Sequence, residues 1–385
     1  MQRTKALLLT TIFIDIIGLG VIIPVLPFYV QSFGVSDAVV TVLFTVYALL
    51  SFLSAPFLGS LSDKIGRRPV LVVSIASSAI GWLVFASAHT LWVLFLGRII
   101  DGLAAGNITS AQSALADIAR DDKERTVNMG LFGALFGVGF IVGPAIGGLL
   151  AKLGTTAPFW FVGGLAALNA VFAYYMLPET HHSKDIHKKL SYNPLAPVRD
   201  GLRLPTMRKL FATWFIFGIA LSMQNSSFSL YLARVFGASA TMIGVVFGLI
   251  GVLIVLNQLV LLKRVWLRLG TQAQLGQVMF VVFAIGMLLQ SAPLLITLGI
   301  GLVATTISQG TLRAVYGGLI ANASLEKRGE YIGISASLMS LSMVIGPFVA
   351  TFLVTRHPSI PIVIAGLLGL VAYLMNVRWK KYHLA

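Results

Sequence analysis

Asp122-Lys123-Glu124-Arg125, then Gly130, then Gly143-Pro144 in one stretch, and Leu325-Glu326-Lys327-Arg328, then Gly333, then Gly346-Pro347 in another, carry the same marks in the same order. One offset of 203 residues lays Arg125 on Arg328, Gly130 on Gly333 and Pro144 on Pro347. Each stretch leads from a charged cluster into a long apolar run. Two distant apolar runs in one register point to a duplicated bundle of helices, and this reading organises the rest of the chain.

The surroundings of the repeat are mostly apolar. Of 385 residues 57% are apolar and 11% charged, against roughly 25% charged in a soluble globular chain. A membrane-spanning helix needs about 20 apolar residues. Twelve such runs lie near 6–30, 39–60, 70–88, 91–116, 127–151, 157–177, 210–232, 241–262, 273–292, 294–320, 331–354 and 359–379. The first run is too long for a signal peptide, holds Asp15, and ends in Pro24 and Pro27 without a small-residue cleavage site, so it is expected to remain in the mature protein. The longest polar stretch, 178–209, follows the sixth run. The expected organisation is therefore an all-α membrane protein: a six-helix bundle over 1–177, a cytoplasmic linker over 178–209 and a second six-helix bundle over 210–385.

A formal charge of +15 would suggest nucleic acid in a soluble protein. Here its distribution excludes that reading. With the N-terminus inside, Arg3, Lys5, Lys64, Arg67, Arg68, Lys123, Arg125, Lys184, Lys188, Lys189, Lys263, Arg264, Lys327 and Arg328 fall on the cytoplasmic side, whereas the outer segments hold Lys152, Arg234 and Arg356. This is the positive-inside asymmetry, and it places both termini in the cytoplasm. The absence of cysteine excludes disulfides and thiolate metal sites, and the six histidines show no ligand spacing. No metal or organic cofactor is expected.

Between the second and third runs stands Gly59-Ser60-Leu61-Ser62-Asp63-Lys64-Ile65-Gly66-Arg67-Arg68. Glycines permit a tight turn between helices, Asp63 can face a positive helix N-terminus, and Arg67 can pair with a carboxylate. The fifth run has Gly130, Gly139, Gly143, Pro144, Gly147 and Gly148. Glycines four apart give a smooth face that another backbone can approach, and Pro144 removes a helical hydrogen bond. These two stretches, with Pro24-Val25-Leu26-Pro27, Leu96-Gly97-Arg98 through Gly102, and Pro178-Glu179-Thr180, resemble the motifs of the major facilitator superfamily over the whole chain. The combination looks like the drug:proton antiporter branch, which includes bacterial multidrug and tetracycline exporters. The resemblance implies a secondary transporter of the bacterial inner membrane, working by alternating access as a monomer among membrane lipids, with protons as the coupling ion and a small-molecule substrate. It also implies that Arg67 pairs with Asp117, and that Gly59, Asp63, Gly66, Arg67, Arg68 and Asp117 form a cytoplasmic gate.

Four charged side chains fall within the expected spans: Asp15, Arg98, Asp101 and Arg313. Each costs about 2.5–3.5 kcal/mol at the bilayer centre on insertion scales, so each requires a partner or a cavity. Arg98 and Asp101 are three apart on one helix face, and Asp15 lies at a comparable depth. A static ion pair and a proton-coupling site both fit this pattern. Polar stripes add Gln112 on span four, Gln224 and Asn225 on span seven, and Gln309, Arg313 and Tyr316 on span ten. Spans one, four, seven and ten line the central cavity in the resembled family, so these residues are candidates for the substrate cavity. The sequence departs from its relatives in having no acidic residue in spans seven to twelve, and the acids that tetracycline exporters carry in spans three and nine are missing, which argues against tetracycline as substrate. A specific metabolite, lipid or siderophore is the alternative cargo on the same fold. A membrane enzyme would need a nucleophile with a base, or metal ligands, and no such constellation is present in the sequence.

Overall fold

The computed structural model describes residues 2–105, 107–119, 122–180, 193–205, 207–268, 271–322 and 328–377. Among these residues the chain is helical and has no strand. The helices in order are α1 (Gln2–Ile22), α2 (Leu26–Gln31), α3 (Ala38–Ile65), α4 (Arg67–Ala86), α5 (Leu91–Leu103), α6 (Asn107–Asp117), α7 (Asp122–Leu150), α8 (Ala157–Met176), α9 (Ala196–Arg203), α10 (Arg208–Phe236), α11 (Ala240–Leu256), α12 (Leu262–Arg264), α13 (Gln272–Ser291), α14 (Leu295–Asn322), α15 (Arg328–Val354) and α16 (Ile360–Val377). Seven of them, α1, α3, α4, α8, α13, α14 and α15, are long and apolar enough to cross a membrane.

The other expected runs are shorter, broken or more polar for identifiable reasons. Span one divides into α1 and α2 at Pro24, and Pro27 sits in the first turn of α2, where its missing N–H is harmless. Span four breaks after Leu103, next to Gly102, whose Cα lies so close to α3 that an added Cβ would meet Tyr47 O at 3.0 Å. Span eight passes from α11 through a π-helical turn, Asn257–Leu261, into α12. There Asn257 donates to Ile307 O (3.2 Å) and Thr311 Oγ1 (3.3 Å) of α14 and accepts from Trp266 Nε1 at 2.9 Å. Its role is to join helices. Helix α10 is diluted by Ser222, Gln224, Asn225, Ser226, Ser227 and Ser229. Many large apolar side chains point outward, among them Val73, Leu168 and Ile296 at 64, 70 and 77% exposure, as expected where the solvent is lipid.

Two compact units emerge. The first comprises Met1–Val35, Val46–Asn193 and Ser239–Gly251; the second comprises Ser36–Thr45, Pro194–Ala238 and Val252–Ala385. The division at Asn193/Pro194 falls inside the expected linker, of which 181–192 and 206 lie outside the described residues. Two segments depart from a simple six-plus-six split. The start of α3 belongs to the second unit, where the Arg234 guanidinium holds the Asp37 carboxylate at 2.7 and 2.9 Å and the Thr41 and Thr351 hydroxyls meet at 2.8 Å. The start of α11 belongs to the first unit, where Thr241 Oγ1 donates to Gly148 O at 2.8 Å. Helix α11 thus divides at Gly251/Val252.

A matching tyrosine stands in each unit. The Tyr29 hydroxyl donates to Phe85 O at 3.0 Å at the end of α4, and the Tyr231 hydroxyl donates to Gln290 O at the end of α13. Both satisfy last-turn carbonyls that a helix cannot pair internally. The interior of the first unit is aliphatic around Leu8, Ile12, Ile16, Leu71, Ile75 and Leu115. In the second, Phe217 packs edge-on to Phe280 and Phe283, and Trp214 stacks on Tyr316.

Candidate functional site

Helices α4 and α5 cross at two glycines. A Cβ on Gly81 would meet Gly97 O at 2.8 Å and Asp101 Cβ at 2.9 Å, and one on Gly97 would meet Gly81 O at 2.7 Å. This contact seats a buried charge cluster. Arg98 Nη1 lies 3.3 Å from Asp101 Oδ2, and Ser78 Oγ on α4 donates to Asp101 Oδ1 at 2.7 Å. Arg98 and Asp101 are 8% and 3% exposed, so neither charge is solvated by bulk water. Asp15 comes from α1, where Asn169 Nδ2 on α8 donates to its Oδ1 at 3.0 Å. Asp15 and Asp101 line one cleft with Tyr47, Ser78, Trp82 and Val162. Its volume of about 30 Å³ is room for a water or two.

The Gly59–Arg68 motif forms a second cluster around Arg67. Its Nη1 lies 2.5 Å from Asp63 Oδ1 and donates to Ser62 Oγ at 3.1 Å, and its Nε donates to Asp117 Oδ2 at 3.0 Å. The turn between α3 and α4 is made at Gly66, whose φ of +112° disfavours any side chain. Gly59, by contrast, lies inside α3 with open space around it, so it makes no part of the turn. Arg68 Nη2 donates to Tyr174 O on α8. Glu179, just past α8, accepts the Arg67 backbone N–H at 2.9 Å and thereby ties the end of span six to the start of span three.

On α7 the glycines four apart face α1. Gly139 abuts Ile16, Gly143 has Gly20 Cα 2.7 Å from where its Cβ would stand, and Gly147 abuts the Val21 carbonyl. Gly148 turns instead toward α11, against Thr241, and Pro144 bridges the two: its carbonyl meets Gly244 of α11 while its ring Cδ stays beside Gly20 of α1. The proline leaves α7 continuous. In the second unit the equivalent of Gly139 is Ser342, which donates to Phe215 O at 3.0 Å while its own carbonyl accepts from Ser222 at 2.6 Å. Hydrogen bonds there replace the bare glycine face.

The second unit repeats the glycine crossing without the charges. Gly286 on α13 and Gly301 on α14 touch backbone to backbone as Gly81 and Gly97 do, at an offset of 205 and 204 residues. Thr305 then stands where Asp101 stands in the first unit. A chain of amides runs through this crossing: Gln309 Nε2 donates to Gln224 Oε1 at 2.8 Å, Gln224 Nε2 to Gln290 Oε1 at 3.2 Å, and Gln290 Nε2 to Thr305 Oγ1. One unit thus carries ionisable groups and the other a neutral hydrogen-bonded chain at the corresponding place.

The sequence profile described as the Major Facilitator Superfamily matches residues 8–312. The chain belongs to the major facilitator superfamily. This makes it a membrane transporter rather than an enzyme. It is 30% identical to the Tetracycline resistance protein, class C, of Escherichia coli over 97% of this chain and 96% of that protein. It is 24% identical to Multidrug resistance protein 2 of Bacillus subtilis (strain 168), over 97% and 94%. The human organic anion transporter MFSD10 (TETRAN) has the same fold, with a TM-score of 0.76 at 22% identity over 97% of this chain and 99% of that one.

Within this transporter Asp15 and Asp101 line one cleft, Arg98 pairs with Asp101 beside it, and Gln224 and Gln309 are hydrogen-bonded in the second unit. Asn225 and Arg313 are exposed, Arg313 one turn beyond Gln309 on α14. Tyr316 is placed elsewhere: it is 1% exposed, and its hydroxyl accepts from Asn376 at 2.7 Å, so it packs the interior of the second unit instead of lining a cavity. Gln112 and Gly130 lie in α6 and α7, but their side-chain environments fall outside the described residues. Sequence reasoning did not find Trp82, Tyr47 or Ser78 at the charge cluster, nor Gln290 in the amide chain. Among the described residues no three His, Cys, Asp or Glu side chains converge as a metal-binding group.

Proposed function

We propose that this transporter exports drug-like or amphipathic small molecules in exchange for protons, by alternating access, as a monomer in a bacterial inner membrane with both termini in the cytoplasm. The observation that carries the reading is the placement of Asp15 and Asp101 on one cleft beside Arg98, while the corresponding crossing of the second unit is neutral. A carboxylate next to a buried arginine is costly to hold ionised and costly to hold neutral. Such a group responds to small changes in hydration, and that response is what an exchanger needs. The amide chain ending at Gln309 suits hydrogen-bonding, uncharged portions of a substrate, and the acids of the first unit suit a cationic one. The resistance-protein relatives support a drug-like cargo. Tetracycline itself is not carried over, because spans three and nine hold no carboxylate.

The Arg67 cluster gives the exchange a cytoplasmic latch. Arg67 is shared between Asp63 and Asp117, and an arrangement of this kind stabilises one conformation more than the other. The test of the whole reading is a panel of cationic, neutral and anionic amphipathic probes in proteoliposomes with an internal pH dye. At least one cationic or neutral probe should move with opposite proton movement and stop when the pH gradient is collapsed. Flux of every probe indifferent to that gradient would refute the exchange.

A further inference from the structure

We propose that Trp82 is a positioning residue for the coupling charge: its ring holds Arg98 in place while Asp101 is protonated, and so sets the pH at which Asp101 exchanges its proton. The proposal rests on the reading that Asp101 alternates between protonated and ionised forms.

Arg98 is bound mainly by rings. Its guanidinium carbon lies 3.5 Å from the centroid of Trp82, 4.9 Å from that of Phe85 and 5.7 Å from that of Tyr47. It reaches a carboxylate only through Nη1, whereas Nε and Nη2 are buried and have no hydrogen-bond partner among the described residues. An arginine ordinarily directs its five N–H donors to carboxylates and carbonyls. Here α4 supplies a ring face instead, and it does so because the Gly81–Gly97 contact brings the neighbouring Trp82 directly over α5.

The two kinds of partner answer differently to a proton. When Asp101 takes up a proton from water on the more acidic side, its negative charge vanishes and the ion pair is lost. The attraction between the guanidinium and the ring quadrupole persists, and it strengthens once no carboxylate neutralises the cation. Trp82 therefore stabilises the protonated form of the pair more than the ionised form. The other ionisable groups facing Asp101 are Arg98 itself, Tyr47 from α3 and Asp15 from α1; α8 contributes the neutral Asn169 beside Asp15. The second unit supports the assignment. At its glycine crossing the residue after Gly286 is Met287, and the residue after Gly301 is Leu302, so the ring and the arginine are absent together.

The test needs no substrate. Purified full-length protein in nanodiscs is titrated while the infrared band of its protonated carboxyl is followed, and Asp101→Asn assigns the part of the band that belongs to Asp101. Trp82→Met removes the ring and leaves a smaller apolar side chain, and Trp82→Phe and Trp82→Tyr keep a ring. The Met variant should move the Asp101 midpoint to lower pH by about one unit, a tenfold rise in the proton concentration required. Both ring-bearing variants should stay much nearer the wild type. Equal midpoints in the Met and ring-bearing variants, even with lowered thermal stability, would reduce Trp82 to a packing residue and overturn the proposal. If Asp101 contributes no titrating band in the wild type, the exchange reading itself fails and the proposal falls with it.

Discussion

Gly81→Ala tests how the membrane charges are held. Its new Cβ would stand 2.8 Å from Gly97 O, 2.9 Å from Asp101 Cβ and 3.0 Å from Asp101 N. Two of these neighbours are backbone atoms and the third is fixed to one, so no flexible side-chain end can yield. Helices α4 and α5 must part by about half an ångström to reach ordinary contact. The Ser78–Asp101 hydrogen bond, now 2.7 Å, would then approach the length at which such bonds fail. Overpacking of this kind costs about 1–3 kcal/mol, against about 1 kcal/mol gained from replacing glycine in a helix. The net loss is up to about 2 kcal/mol. Gly164→Ala is the control, since nothing lies within 4 Å of its added Cβ. In detergent, Gly81→Ala should lower the thermal midpoint relative to Gly164→Ala, and in proteoliposomes it should alter the pH dependence of transport as Asp101 moves. If both variants match the wild type in midpoint and pH profile, the crossing does not position the charges.

Two further outcomes follow from the proposed topology and latch. Asp63→Asn removes one of the two carboxylates on Arg67 and should shift the population toward the inward-open form by several-fold at most, since partly exposed pairs contribute about 0.2–1 kcal/mol. Distance measurements between spin labels across the cytoplasmic face check this, and unchanged distributions would contradict the latch. Cysteine introduced at Lys64 or Lys188 should be labelled from the cytoplasm, and at Lys152 or Arg356 from outside. Labelling of all four from one side would overturn the topology.

The parts of this transporter that were legible in the sequence are those written in local spacing. The duplicated register over Arg125 and Arg328 anticipated two bundles, and glycines four apart on α7 anticipated the face that meets α1. The Arg67–Asp117 pair came only through the family resemblance, because nothing in the spacing joins residues fifty positions apart. The Gly81–Gly97 crossing was hidden for a different reason. Its counterpart, Gly286 and Gly301, sits at offsets of 204 and 205, while α7 and α15 correspond at 203. A loop of different length shifts the register, and a scan at one offset passes over it. Trp82 had no signal of its own, because an aromatic ring in an apolar helix looks the same whether it faces lipid or an arginine. Tyr316 showed the reverse error: helical spacing from Gln309 suggested a cavity position, but the ring packs against Trp214 and Phe280.

The central claim is that coupling runs through the carboxylates of the first unit. Asp15→Asn, Asp101→Asn and the double variant are compared in proteoliposomes under an imposed pH gradient, with substrate flux and proton movement recorded together. The account predicts that the double variant still allows passive exchange of substrate but no longer accumulates it against its gradient, with Asp101→Asn giving most of that loss. Accumulation by the double variant at the wild-type rate would place the proton elsewhere and contradict the mechanism.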